Sequence, residues 1–277
     1  HGTGYDLVLS SGSSLRNYRK KDWLASFNKS QVPNLKYINK KWTHAYEDAP
    51  GYSVPYFWGT LGIAYRKDLV EKPITSWKQL FEPDEKLHQK ILRANAVDDV
   101  IGMALKSLGY SLNSQNIEDY KQAEKLLVAQ KKHVKSYSYL ALNKESSLVK
   151  GEVYMSMAYN GDALMLMDIE PRIEFIVPEE GGNIWIDYFT VLKTSRNKQL
   201  AFEFLNFINI PENAAQLAEF VYYASPNNAA EKLLHEEHLQ DKSIYPEQRT
   251  LKASELNKRL PAKIKRYKNN IYNKLTK

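Results

Sequence analysis

Apolar residues fall along this chain in two alternating rhythms. Short continuous runs are closed by Ser, Gly, Asn or Pro, and longer stretches carry an apolar residue every three or four positions. The first rhythm predicts buried strands and the second amphipathic helices. Tyr5-Asp-Leu-Val-Leu-Ser-Ser-Gly-Ser-Ser reads as a buried strand entering a polar, glycine-containing turn. Such strand-to-helix junctions present hydroxyls and backbone N–H groups at the carboxyl end of a strand, where open α/β sheets bind ligands. Further strands are expected at residues 62–65, at 153–159 with its end at Asn160-Gly161, at 172–177 before Pro178, and at 184–192, which is rich in β-branched and aromatic residues. Helices are expected at 75–81 with Thr75 or Ser76 as cap, at 98–108 stopping at Gly109, at 118–130, at 197–208 led by Ser195, at 212–222 behind Pro211, and from 253 onward with one interruption at Pro261. Strands alternating with helices predict α/β layers around a mostly parallel sheet. No internal repeat and no low-complexity linker breaks the pattern.

A length of 277 residues suits one large domain or two ordinary ones, at about 100–200 residues each. No apolar run approaches the roughly 18 residues of a membrane span. The chain has no cysteine, which excludes disulfides, thiolate metal sites and cysteine nucleophiles together. The formal charge of +7 comes from 39 basic and 32 acidic side chains, and its distribution changes its meaning. Residues 258–277 hold eight basic residues and no acid, leaving 31 basic against 32 acidic elsewhere. The excess is therefore one C-terminal segment, read as a solvated helix face, and the body of the chain is balanced. The opening His1-Gly-Thr-Gly-Tyr carries no signal-peptide pattern.

Neither GxxxxGK[ST], GxGxxG nor GxSxG occurs, so phosphate-loop and nucleophile-elbow chemistry has no support. His235 and His238 lie one helical turn apart, but they do not form HExxH and lack a third ligand nearby. What stands out is aromatic residues beside carboxylates. Trp185 and Asp187 are two apart and share a strand face. Tyr159 and Asp162 flank a turn, Asp98-Asp99 open a helix, and Tyr222-Tyr223 close another ahead of Ser225-Pro-Asn. Carboxylates supply charge-assisted hydrogen bonds and rings supply cation–π attraction, which together suit an organic ammonium ion. Taken singly, each residue also has an ordinary structural role: Trp185 in core packing, Asp99 as a helix cap.

The order of several segments resembles a known family. Tyr5-Asp-Leu-Val, Val54-Pro-Tyr-Phe-Trp-Gly-Thr, Thr75-Ser-Trp-Lys-Gln-Leu-Phe-Glu-Pro, Met103-Ala-Leu-Lys-Ser-Leu-Gly-Tyr-Ser, Gly151-Glu-Val, Tyr159-Asn-Gly, Pro178-Glu-Glu-Gly-Gly-Asn-Ile-Trp-Ile-Asp and Ser225-Pro-Asn occur in sequence. The series resembles the spermidine/putrescine-binding periplasmic proteins of ABC importers, from residue 5 to the end. The resemblance implies an α/β, two-lobed periplasmic-binding-protein fold with discontinuous lobes and a hinge cleft. Crossovers fall near Trp58-Gly59 and near Asp187, giving lobe one as 1–58 and 187–230 and lobe two as 59–186 and 231–277. Family members carry further chain ahead of the segment matching Tyr5, including a first strand and an aromatic pair that clamps ligand, so lobe one is expected to lack its N-terminal part here.

Carried over residue by residue, the family's amine-binding acid at a helix start falls on Asp99, where Glu is usual. A second acid three residues earlier in spermidine binders falls on Ala96. Tyr159 stands where the family has Trp, and Asp162 matches a position that is acidic in putrescine-preferring relatives. Trp185 and Asp187 match the family's aromatic and its central ammonium-binding carboxylate. Tyr223 matches a cleft tyrosine, Ser11 and Ser13 match the strand-end hydroxyl loop, and Asn257 falls where an amide contacts ligand. Trp58 matches hinge packing. Losing the acid at Ala96 and gaining Asp162 leans toward a diamine.

The implied function is a non-enzymatic polyamine-binding protein that closes on its ligand and delivers it to ABC permease subunits, acting as a periplasmic monomer, with a lipid anchor compatible and no cofactor. A polyamine-sensing binding protein that signals to a membrane receptor is the alternative in the same fold. A glycosidase using Asp99, Asp162 or Asp187 as paired acids has no motif behind it, and nucleic-acid binding would rest on the basic tail alone.

Overall fold

The computed structural model describes residues 4–276. The chain divides into two compact units, each built from two separate stretches. Unit 1 holds His1–Gly59 and Trp185–Ile244, and unit 2 holds Thr60–Ile184 and Tyr245–Lys277. Eight strands lie among the described residues: β1 Leu7–Ser11, β2 Val54–Arg66, β3 Ile91–Arg93, β4 Val134–Tyr137, β5 Met155–Tyr159, β6 Ile173–Ile176, β7 Asn183–Val191 and β8 Glu255–Leu256. Both β2 and β7 run from one unit into the other. A strand that crosses needs no loop, which is why no linker interrupts the sequence.

In unit 1, β1 pairs antiparallel with β7, from Leu7 opposite Val191 to Ser11 opposite Asp187. Beneath this pair lies a core of Val32, Val54, Val191, Phe202 and Leu205. Two helices close it. Lys198–Ile208 buries Ala201, Phe202, Leu205 and Ile208, spaced one helical turn apart. Pro211–Val221 starts with proline at its first turn, where the missing N–H is harmless. It ends at Tyr222, which takes the left-handed conformation at φ 59°. Residues 231–244 also pack here rather than with unit 2, as the resemblance had placed them. The cause is local: the His235 backbone N–H and its imidazole Nδ1 both lie 2.7 Å from Glu219 Oε1 on the helix Pro211–Val221.

In unit 2, β2 pairs antiparallel with β5 and β6, while β3 pairs parallel with β4 and β5. β8 runs parallel to the start of β7. The sheets are therefore mixed, correcting the mostly parallel expectation. β2 runs from unit 1 into unit 2 as one unbroken strand, so no helical crossover of the kind that joins parallel strands separates its two parts. The core centres on Trp77, which is fully buried and donates its indole N–H to Gly181 O at 2.8 Å. Ser76 caps its helix in a capping box with Gln79, so Ser76 and not Thr75 is the cap. The helices Val97–Ser107 and Ile117–Gln130 lie where periodicity placed them.

Two expectations fail informatively. Asn160 does not end a strand in a turn; it begins the helix Asn160–Ile169, so Asp162 sits in that helix's first turn. The tail is not one interrupted helix: Gln248–Ala253 stops, β8 intervenes, and Ala262–Thr276 begins directly after Pro261.

Candidate ligand-binding site

The sequence-selected residues form two clusters, one in each unit. In unit 1, the alternation along β7 sorts its side chains. Ile186, Tyr188 and Thr190 are buried on one face, and Trp185, Asp187 and Phe189 project half-exposed on the other. Asp187 is opposite Ser11, the last residue of β1. Ser11 Oγ lies 3.0 Å from Ser13 Oγ, and both are exposed at the start of the helix Gly12–Lys20. Trp185 meets Tyr223 edge to face, with ring centroids 4.8 Å apart at 86°. Burial raises the Asp187 carboxyl above its ordinary range. Among the described residues no group donates a hydrogen bond to it and no cation pairs with it, although a half-buried carboxylate ordinarily has such partners.

Tyr46 completes this cluster and was not legible in the sequence. Its phenol is pushed up to about 12, chiefly by burial and further by the charge of Asp187. Its ring lies so close to Gly12 that a Cβ there would come within 2.1 Å of it. Glycine at position 12 is thus required by the close approach of an aromatic ring, a signal that no local pattern reveals. Trp58 takes a packing role: it is 5% exposed, stacks on Trp42 at 4.9 Å and donates its indole N–H to Ser225 O at 3.2 Å.

In unit 2, Asp99 lies in the first turn of the helix Val97–Ser107 and is 5% exposed. Its carboxylate accepts the Tyr159 hydroxyl at 2.7 Å and the Asn183 side-chain amide at 3.2 Å. Burial nevertheless raises its pKa, against the lowering effect of those two bonds. Tyr159, at the end of β5, donates its backbone N–H to the hydroxyl oxygen of Tyr139 at 3.1 Å. Tyr139 in turn donates to Asp162. Two acids and two tyrosines therefore form one linked group. Tyr139 and Asn183 were not singled out by sequence: Tyr139 lies in the segment Tyr137-Ser-Tyr-Leu-Ala-Leu with no acid beside it, and Asn183 follows Gly181-Gly182 ahead of Trp185. Asn257 follows β8, is half-buried, and joins neither cluster by a hydrogen bond among the described residues.

Each cluster holds an acid whose charge is disfavoured by desolvation, Asp187 in unit 1 and Asp99 in unit 2, beside aromatic rings. Carboxylates beside aromatic rings are the chemistry that suits an organic ammonium ion. Among the described residues no group of three or more His, Asp or Glu could hold a metal ion. His238 is buried in the short helix Glu236–Gln240, and His235 is engaged by Glu219.

The chain is similar to known proteins. Residues 1–246 match the profile of bacterial extracellular solute-binding proteins. The chain is 32% identical over 253 residues to a spermidine/putrescine-binding periplasmic protein of Salmonella typhimurium, covering 91% of this chain and 72% of that one. It is 34% identical over 221 residues to a norspermidine sensor of Vibrio cholerae, covering 79% of this chain and 61% of the other. Among solved structures, the spermidine/putrescine ABC transporter substrate-binding protein of Streptococcus pneumoniae is similar with a TM-score of 0.88 at 28% identity, covering 100% of this chain and 85% of that one.

Proposed function

Because this chain belongs to the bacterial extracellular solute-binding protein family, we propose that it binds a polyamine and hands it to the membrane subunits of an ABC importer. The observation that carries this reading is Asp187: a half-buried carboxylate with no protein partner among the described residues, on the same strand face as an indole. An ammonium group supplies the missing counter-charge, and the rings of Trp185 and Tyr223 supply apolar contact for methylenes. Asp99 and Asp162 give unit 2 its own acids. Similarity to periplasmic relatives supports action outside the cytoplasmic membrane.

A thermal-melt comparison tests the reading. Putrescine at about 100 times its Kd raises the Tm through about 2.7 kcal/mol of linked stabilisation. Butane-1,4-diol, of the same length without charge, leaves it unmoved. Equal shifts from both would sink the ammonium reading.

Two further outcomes follow from the geometry. Trp185→Ala weakens putrescine binding tenfold or more, the range for losing a desolvated cation–π contact of about 2 kcal/mol; titration calorimetry of the variant reads it directly, and unchanged affinity removes Trp185 from the site. Binding also weakens on acidification. The ligand stays protonated across this range, its amines titrating near pH 10, whereas Asp99 and Asp187 have raised pKa values and take up protons at a higher pH than ordinary carboxylates. Affinity should therefore fall with decreasing pH before the usual carboxylate range near 4 is reached. A Kd constant down to pH 4 contradicts this.

The similarity to a norspermidine sensor favours a second reading, in which the liganded protein reports to a membrane receptor. Polyamine-dependent stimulation of ATP hydrolysis by a reconstituted importer separates transport from sensing.

A further inference from the structure

Arg93 ends β3 in unit 2 with its side chain fully buried. Only neutral acceptors meet its guanidinium: Nε donates to Gln130 Oε1 at 3.0 Å and Nη2 to Leu80 O at 3.1 Å. The central carbon lies 4.1 Å from the centre of the Phe81 ring. Nη1 is buried and has no hydrogen-bond partner among the described residues. No carboxylate there pairs with Arg93 either, although a buried charge ordinarily carries a counter-ion. Burial pushes the guanidinium down to about 9, which leaves it cationic at neutral pH.

A second orphaned donor lies beside it. Tyr137 is the Cα partner of Arg93 across the parallel pair of β3 and β4, so both side chains leave the sheet on one face. Its hydroxyl is buried and likewise has no partner among the described residues. Burial raises the phenol above its ordinary value, against the lowering effect of Arg93, so the hydroxyl keeps its proton and can donate.

From this we infer that unit 2 binds a small monovalent inorganic anion, of the size of chloride, between Arg93 Nη1 and the Tyr137 hydroxyl. Such an ion accepts from both donors and supplies the counter-charge that the chain does not. A water molecule would answer the hydrogen bonds and leave the charge uncompensated. Burial of both donor atoms selects against bulky organic anions. The inference does not depend on the polyamine reading, because the anion and the amine are bound by groups of opposite sign.

The test is calorimetric melting of the amine-free protein in sodium chloride and in sodium gluconate at equal ionic strength. Above the chloride Kd, each tenfold rise in chloride should raise the Tm of unit 2 by about 3 °C, while gluconate should not. Arg93→Met removes the charge and keeps a long apolar side chain, and the difference between the two salts should vanish in it. Tyr137→Phe keeps the ring and should need about tenfold more chloride for the same shift. Equal melting of wild type in both salts would overturn the inference, as would a chloride effect undiminished in Arg93→Met. Should Arg93→Met not fold, Tyr137→Phe decides: an unchanged chloride dependence in that variant overturns the inference as well.

Discussion

Asp187→Asn abolishes polyamine binding while leaving the protein folded. Asn keeps the shape and loses the charge, so an ammonium placed against it is desolvated without a counter-ion. Removing one member of a buried, hydrogen-bonded charge pair is expected to reduce affinity by about 3 kcal/mol or more, roughly a hundredfold or greater. Stability should move the opposite way. The Asp187 pKa is raised in the fold, so the native state binds a proton more readily than the unfolded chain. Stability therefore declines as pH rises from the ordinary carboxylate value through the raised one, and at neutral pH the ionised group is a burden on the ligand-free protein. Replacing it removes that burden, and the Tm of the ligand-free variant at pH 7 should rise by about 2 °C. A variant that binds putrescine like wild type would remove Asp187 from the site, whereas a variant that melts lower would make its role structural.

Trp77→Ala destabilises unit 2 more than any substitution within the binding clusters. Trp77 is fully buried among Leu80, Phe81, Val100, Met103 and Leu127. Its indole N–H satisfies Gly181 O, in the turn where Gly181 adopts φ +78°. Truncation leaves a cavity of indole size and an unpaired carbonyl, an expected loss of about 3–5 kcal/mol. For a unit of this size that is a fall of about 10 °C in Tm, read by calorimetry. A fall below about 2 °C would mean that the core described around Trp77 does not hold unit 2 together.

The features legible in the sequence were those with local causes. Periodicity located the helices Val97–Ser107 and Ile117–Gln130, and proline marked the start of Pro211–Val221. The i, i+2 spacing put Trp185 and Asp187 on one strand face, as β7 has them. What escaped depends on residues far apart in the chain. β3 spans three residues and β8 two, too short for any pattern, and each exists through its neighbours in the sheet. The helix from Asn160 was read as a turn because Asn-Gly is a strong turn signal, yet Gly161 and Ala163 are buried within a helix that packs against its own sheet. Tyr46 and Tyr139 belong to the clusters only through tertiary contacts, with Gly12 in one case and Asp162 in the other. Asp162 was legible as a carboxylate close to Tyr159 in sequence, while the tyrosine that donates to it could be found only in the folded chain.

The most direct measurement is isothermal titration of the wild-type protein with putrescine, cadaverine, spermidine and spermine at neutral pH. Saturable one-to-one binding of at least one of these amines, lost in Asp187→Asn, is the expected result. No binding heat from any of the four, with the protein shown to be folded, would contradict a polyamine site.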